Sequence, residues 1–155
     1  MKLIAHRGLV DGPDKAFENH PKRIKLSLEQ GFDCEVDLRV VNGELYLGHD
    51  EPQYKIDESF LKTPGLWIHC KNTEALEFCY DDIKLNYFWH DTDDYTITSR
   101  GWVWTYPGKV VPKWGIAVMP EWNDPTLSSE MLLKYNGICS DFVAKIQHLI
   151  VDRDK

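Results

Sequence analysis

CEVDLRVVNGELYLGHD, residues 34–50, combines a β-rich segment, two acidic side chains and a hairpin signal. Residues 34–41 favour a strand, and Asn42-Gly43 is the strongest two-residue signal for turning the chain back in a hairpin. Because successive side chains of a strand point to opposite faces, Glu35 and Asp37 share one face. The stretch therefore predicts a strand that presents two carboxylates on the same side.

His49 lies at the end of the return arm of this hairpin. A two-residue turn in ideal register pairs His49 with Val36, on the face opposite the two carboxylates. A bulge, most simply at Gly48, rotates the histidine back toward them. We therefore expect an irregularity at Gly48 if His49 belongs to the same site.

Polar side chains end a series of short apolar runs along the chain: His6-Arg7, Glu35 and Asp37, His69 and Lys71, His90-Asp91, Thr105, Glu121 and Asp141. Polar groups at the carboxyl ends of successive strands are typical of a (β/α) barrel, whose active site lies on that face. Such barrels have about 250 residues, with about 200 as a practical lower limit, whereas this chain has 155. We therefore predict an α/β fold, a reduced TIM-like (β/α) barrel of about seven or eight strands with some outer helices missing.

The remaining elements follow from apolar patterns and turn signals. Thr73 is the expected N-cap of one helix. Residues 96–98 are too close to the next strand for a parallel crossover, so they form a turn, a hairpin arm or a bent extension. Strands are predicted at 3–5, 66–68, 87–89, 102–104, 116–118 and 138–139, and helices at 21–30, 73–80, 127–135 and 143–150.

The bulk composition predicts one packed domain over residues 1–155, since 43% of the residues are hydrophobic and 12% aromatic. A net charge of −7 argues against nucleic acid and anionic lipid surfaces as partners. No apolar stretch approaches the roughly 20 residues of a membrane span. The N-terminus lacks a basic segment followed by a long apolar run, so we expect no signal peptide and a cytoplasmic protein. The oligomeric state is left open.

The four cysteines are scattered, with no Cys-x-x-Cys pair, and three of them lie in predicted strands: Cys34, Cys70, Cys79 and Cys139. This spacing favours buried free thiols over disulfides or a zinc site. It also fits a reducing compartment.

The first fifty residues contain four polar elements in order: His6-Arg7-Gly8, Glu18-Asn19, Glu35-Val36-Asp37 and His49-Asp50. Carboxylates can hold a divalent ion, and two imidazoles can share acid and base roles, as metal-assisted phosphodiester chemistry requires. The order of these four elements resembles that in the glycerophosphodiester phosphodiesterase family, and the resemblance is specific over residues 3–50. Beyond that stretch, residues 68–71 resemble the family's Glu-x-Lys with histidine in place of glutamate, and residues 102–105 and 137–141 resemble its last strands.

The resemblance implies a divalent metal held by Glu35 and Asp37. Oxygen ligands suit Mg²⁺ or Ca²⁺. The third ligand is left open. His69 stands where the family has a carboxylate, and its imidazole favours Mn²⁺ or Zn²⁺; otherwise Glu18 or Glu121 completes the set.

The resemblance also implies that His6 and His49 are the catalytic acid–base pair. Lys71 is a point charge suited to the substrate phosphate. Arg7 either binds the same phosphate or forms a salt bridge with Glu18 that braces the first loop. The implied enzyme is a phosphoric diester hydrolase of lipid metabolism that cleaves a glycerophosphodiester or a related small phosphodiester. A cyclising, lyase-type reaction through a cyclic phosphate remains an alternative.

Two other readings compete with this one. A non-catalytic module that binds a phosphate ligand is favoured by His69 and by the truncation. Another protein's chain could instead complete the wall of the pocket, which would show as a dimer.

Several further residues have two interpretations. Asn19 either orients a ligand or caps a helix, and His90 is interpreted as a loop or structural residue. Asp91, Asp93 and Asp94 lack the central glycine and terminal glutamate of a calcium loop, so they predict a solvated turn.

Overall fold

The computed structural model describes residues 1–152, and ten strands in this part of the chain form one curled, half-barrel sheet. The strands are β1 (Lys2–Ala5), β2 (Asp33–Val41), β3 (Glu44–Leu47), β4 (Tyr54–Ile56), β5 (Leu66–Cys70), β6 (Tyr87–Phe88), β7 (Tyr95–Ile97), β8 (Val103–Thr105), β9 (Gly115–Val118) and β10 (Gly137–Ser140). The helices are α1 (Pro21–Glu29), α2 (Glu58–Leu61), α3 (Thr73–Tyr80), α4 (Ser129–Leu132) and α5 (Val143–Val151). The predicted α/β class is confirmed.

The parallel part of the sheet runs in the order β6-β5-β2-β1-β10-β9-β8. The carboxyl ends of these strands therefore lie along one edge. The other three strands are antiparallel: β3 pairs with β2, β4 with β3, and β7 with β8. Because Ile97 pairs with Val103, the hairpin arm is the correct alternative for residues 96–98.

Helices accompany only some of the parallel strands. α1 connects β1 to β2 and α3 connects β5 to β6, whereas residues 89–114, which join β6 to β9, contain no helix. The reduction predicted from the length therefore falls on this side of the molecule. No helix in residues 1–152 has the length and apolarity needed to cross a bilayer.

Two local predictions need correction, and two short elements were not predicted. Thr73 is not the N-cap of α3, because the Asn72 side chain accepts the hydrogen bond from the Ala75 amide at 3.1 Å. The helix expected over 127–135 is limited to α4, since Leu127 has a φ of +49° and cannot be helical. β4 and α2 were not predicted, because segments of three or four residues carry no readable periodicity.

The hairpin between β2 and β3 has the predicted turn, with φ of +53° at Asn42 and +77° at Gly43. β3 ends at Leu47, and Gly48 follows with a φ of +155°. A Cβ at Gly48 would collide with the carbonyl oxygen of Glu51. The chain therefore departs from regular register at Gly48, where an irregularity was expected.

Three apolar clusters cover the two faces of the sheet, and one of them joins β9 and β10 to α4 and α5. The outer cluster joins the sheet to α1, α3 and α5, and includes Cys34, Ile68 and Cys70. The inner cluster lies within the curl and contains Ile4, Trp67, Phe88, Trp104, Ile116 and Cys139. All four cysteines are free and buried, which confirms that prediction. Because side chains alternate along β5, residues 67 and 69 face inward while 66, 68 and 70 face the helices.

Candidate metal centre and its surroundings

Glu35, Asp37 and His69 meet at the carboxyl ends of β2 and β5. Asp37 pairs with His69 in the parallel register of these strands. Nδ1 of His69 lies 3.5 Å from Oε1 of Glu35 and 3.4 Å from Oδ1 of Asp37. One ligand atom from each of the three residues lies within 4.8 Å of the others, a spacing that could hold a metal ion. We call these three residues the carboxylate cluster.

The His69 ring is oriented by a backbone group. Its Nε2 lies 2.9 Å from the carbonyl oxygen of His90, and since a carbonyl can only accept, Nε2–H is the donor. Nδ1 therefore faces the two carboxylates. Oδ1 of Asp37 is buried and accepts no hydrogen bond from any of residues 1–152. A buried acceptor of this kind needs a cation or a proton, so the cluster fits a metal ion.

Arg7 braces the cluster from its other side. Its backbone N–H donates to Oε2 of Glu35 at 3.0 Å. Its guanidinium places Nε 3.1 Å from Oδ2 of Asp37 and donates to Oε2 of Glu18 at 3.0 Å. Burial lowers the pKa of Arg7, but the charges of these three carboxylates raise it above its ordinary value. Of the two roles open for Arg7, the brace to Glu18 is present.

Asn19 fixes the position of Asp37. Its amide donates to Oδ2 of Asp37 at 2.8 Å, and its carbonyl oxygen accepts from the Asp37 backbone N–H at 2.9 Å. Asn19 is fully buried and has a φ of +60°. The helix cap belongs to His20, whose side chain accepts from the Lys22 amide. Asn19 is therefore an orienting residue for Asp37 and not a cap.

The Glu35 carboxyl is held in its ionised form. Burial alone would raise its pKa, but the hydrogen bond with His69 and the charges of His6, His69 and Arg7 lower the pKa to about 2. Glu35 is therefore charged at neutral pH, as a metal ligand must be.

His6 is paired with a residue that is distant from it in the sequence. Its Nδ1 lies 2.8 Å from Oδ1 of Asp141, and since a carboxylate accepts, Nδ1–H is the donor and Nε2 is left for the cavity. Burial lowers the pKa of His6, but the hydrogen bond to Asp141 and the charge of Glu35 raise it above its ordinary value. Asp141 was predicted only as a polar strand end, because its pairing with His6 depends on β1 and β10 being neighbours.

His49 is hydrogen-bonded to a more exposed partner. Its Nδ1 lies 2.8 Å from Oδ1 of Asp50, a carboxylate whose side chain is 90% exposed. The hydrogen bond and charge of His49 lower the pKa of Asp50. Arg39 supports the loop by donating to the carbonyl oxygens of Gly48 and His49 at 3.1 and 2.5 Å.

One cavity of about 370 Å³ collects these groups. Lys71 lines it, and no group in residues 1–152 pairs with the Lys71 ammonium. Tyr106 and Trp122 form an aromatic part of the wall. Its other polar lining residues are His6, Arg7, Glu35, His49, His69, His90 and Asp91. A larger cavity of about 760 Å³ lies near the opposite ends of the strands, around Lys2 and Trp102, and contains none of these groups.

Two candidate ligands lie outside the carboxylate cluster. Glu18 is bonded to Arg7. Glu121 accepts from the Ser140 hydroxyl at 2.7 Å, and its other carboxyl oxygen is buried with no hydrogen-bond partner in the described chain. Among the three residues considered as the third ligand, His69 is the one placed beside Glu35 and Asp37.

The motifs that carry the family resemblance thus surround one cavity: His6-Arg7, Glu35, His49 and Lys71 line it, while Glu18-Asn19 hold Arg7 and Asp37. Comparison of the chain with family models, with curated proteins and with solved structures finds no match. The function of the chain is therefore inferred from the geometry of the cavity and from the resemblance of these motifs.

Proposed function

We propose that this protein is a metal-dependent phosphodiesterase built on a reduced TIM-like barrel, with a glycerophosphodiester or a related small phosphodiester as substrate. The observation that carries the proposal is that Glu35 and His69 of the carboxylate cluster line the same cavity as His6, which is hydrogen-bonded to Asp141. Buried free thiols are compatible with a reducing, cytoplasmic setting.

Glu35, Asp37 and His69 would hold the metal, with Mg²⁺ or Ca²⁺ as the first choice and Mn²⁺ as the alternative. When bound, a divalent ion supplies Lewis-acid stabilisation of the phosphodiester oxygens. Asn19 and Arg7 keep Asp37 in place by their contacts with its Oδ2. This leaves Oδ1 of Asp37 directed at the position that the metal would take.

His6 and His49 would handle the protons. One imidazole accepts the proton of the attacking hydroxyl as its oxygen bonds to phosphorus, and the other gives a proton to the alkoxide as the P–O bond breaks. If the attacking hydroxyl belongs to the substrate, the product is a cyclic phosphate, which water can then open by the reverse assignment of roles. Both hydrolase and lyase outcomes follow from the same residues.

Lys71 is the residue suited to the phosphate charge. Its ammonium is unpaired within residues 1–152, whereas the Arg7 guanidinium is engaged by Glu18 and Asp37. A free point charge at the cavity wall can follow the phosphate as its charge grows in the transition state. We therefore assign the phosphate contact to Lys71 and bracing to Arg7.

The test is ³¹P NMR of the purified protein with glycerophosphodiesters and lysophospholipids, in Mg²⁺, Ca²⁺ or Mn²⁺ and in chelator. The expected result is a metal-dependent product that is absent in His6→Ala and present in His148→Ala, a control outside the cavity. The chemical shift of the product separates cyclic from open phosphate. No product with any metal would contradict the proposal.

A non-catalytic phosphate-binding module is the second candidate. The observation that favours it is the position of His69, because a protonated imidazole at 3.4 and 3.5 Å from the two carboxylates would itself neutralise them. Such a module would bind phosphate monoesters with or without metal and give no product. Calorimetric titration with glycerol phosphate in chelator separates the two candidates.

A further inference from the structure

His90 lies in the wall of the same cavity, beside the carboxylate cluster. Its ring centroid is 6.1 Å from that of His69 and 6.0 Å from that of Tyr106, and all three residues line the cavity. Only 12% of the His90 side chain is exposed. The imidazole is therefore enclosed by the residues of the site, although the backbone of His90 lies in the loop after β6.

Asp93 sets the orientation of this imidazole. Nδ1 of His90 lies 2.9 Å from Oδ2 of Asp93, and Oδ1 of Asp93 accepts from the Asp91 backbone N–H at 3.0 Å. Since the carboxylate can only accept, Nδ1 of His90 carries a proton, and in the neutral imidazole this leaves the lone pair on Nε2. Within residues 1–152 no hydrogen bond reaches that Nε2. The arrangement repeats that of His6 with Asp141.

The backbone carbonyl of His90 has a role that is separate from that of its side chain. Its carbonyl oxygen accepts from Nε2 of His69 and so orients the candidate metal ligand. Replacing the His90 side chain leaves this carbonyl in place. The effect of the imidazole on ligand binding can therefore be measured apart from any effect on the metal.

We propose that His90, oriented by Asp93, is a substrate-binding residue whose Nε2 accepts a hydrogen bond from a hydroxyl group of the bound phosphate ester. The lone pair on Nε2 can form a hydrogen bond only with a group that donates one. Hydroxyl groups donate, whereas ionised phosphate oxygens only accept. His90 thus selects phosphate esters that carry a free hydroxyl beyond the phosphate. The inference rests on the proposed function in placing the phosphate at the carboxylate cluster.

The experiment is calorimetric titration, with Mn²⁺ present, of two probes that share a phosphate: glycerol phosphate, which has hydroxyls, and methyl phosphate, which has none. The wild-type protein is expected to prefer glycerol phosphate. His90→Phe should weaken glycerol phosphate binding about tenfold, as expected for loss of one buried hydrogen bond. It should leave methyl phosphate and Mn²⁺ affinities within about twofold of wild type.

Three variants complete the design. His90→Gln, whose amide oxygen can still accept, should restore part of the preference. Asp93→Asn should reduce the preference without removing it, because Asp93 acts only by positioning the ring. His148→Gln, outside the cavity, should change nothing. If His90→Phe does not unfold cooperatively, the Gln and Asn variants carry the comparison.

The proposal is overturned if the wild-type protein does not distinguish the two probes or binds neither. It is equally overturned if His90→Phe weakens both to the same extent or leaves both unchanged. Because every readout is binding, an absence of turnover with phosphodiesters would count against the proposed enzyme alone.

Discussion

The carboxylate cluster and the loop that carries His49 face the same cavity but are held in opposite ways. Glu35 and Asp37 are 1% and 0% exposed and are tied to Arg7 and Asn19. His49 is paired with a carboxylate whose side chain is 90% exposed. Carboxylates thus occur both in a buried setting, where other residues hydrogen-bond to them, and in a solvent-exposed one. We therefore expect burial to decide which of them contributes to the stability of the fold.

The largest contrast is expected between Asp37→Ala and Asp50→Ala. Removing the Asp37 carboxylate leaves the Asn19 amide and Nε of Arg7 buried without their shared partner and leaves Arg7 paired with Glu18 alone, which should cost about 3 to 5 kcal/mol of unfolding free energy. Asp50→Ala should have no measurable effect on stability, since that ion pair is exposed to water. Urea unfolding of both variants in chelator measures the difference. Equal losses would show that the two settings do not differ.

Metal binding should also depend differently on the two regions. At one hundred times its dissociation constant, a bound divalent ion raises the free energy of unfolding by about 2.7 kcal/mol. This gain should disappear in Glu35→Gln, which loses a charged ligand, and persist in His49→Gln. Thermal unfolding with Mg²⁺, Ca²⁺ or Mn²⁺ and with chelator measures it. An equal gain in both variants would place the metal elsewhere.

The His6–Asp141 pair should show a pH-dependent contribution to stability. The folded-state pKa of His6 lies above its ordinary value of 6.5. The contribution is therefore complete below that value and is lost as pH rises through the raised pKa. Asp141→Asn should cost about 2 kcal/mol at pH about 5.5 and less at pH about 9. Denaturant titration in chelator at both pH values measures this, and a larger cost at the higher pH would contradict it.

The smallest effect is expected at the bend before His49. Gly48→Ala places a Cβ against the Glu51 carbonyl oxygen at a positive φ, so the loop must shift. Because the loop is partly exposed and can relax, the cost should be about 1 kcal/mol. Gly43→Ala is the matched control, with a positive φ but open space around it. Imidazole NMR should show His49 displaced in the first variant and unmoved in the second.

Local signals were sufficient where a few neighbouring residues decide the conformation. Asn42-Gly43 accommodates the positive φ values of the hairpin turn, and alternation along β2 places Glu35 and Asp37 together. Regular register alone would have placed His49 on the opposite face, and the irregularity at Gly48 was expected only on the condition that His49 belongs to the same site as the two carboxylates.

Contacts between distant segments could not be predicted from such local signals. Asp141 meets His6 across 135 positions only because β1 and β10 are adjacent. Asp93 was predicted to lie in a solvated turn and His90 to be a loop or structural residue, since nothing near them in the sequence indicates that β6 brings His90 alongside His69. The short elements β4 and α2 were missed for a related reason, because their few residues are ordered by contacts with the rest of the fold.

The sequence by itself thus determined the α/β class, the hairpin, the shared face of Glu35 and Asp37 and the buried state of the thiols, since these depend on φ, side-chain alternation and hydrophobicity within short segments. Only the tertiary structure decided that His69, and not Glu18 or Glu121, joins the two carboxylates, and that Arg7 braces them. It also decided that Asp141 orients His6. These choices depend on the register and curl of the sheet, which bring together side chains that are far apart in the chain.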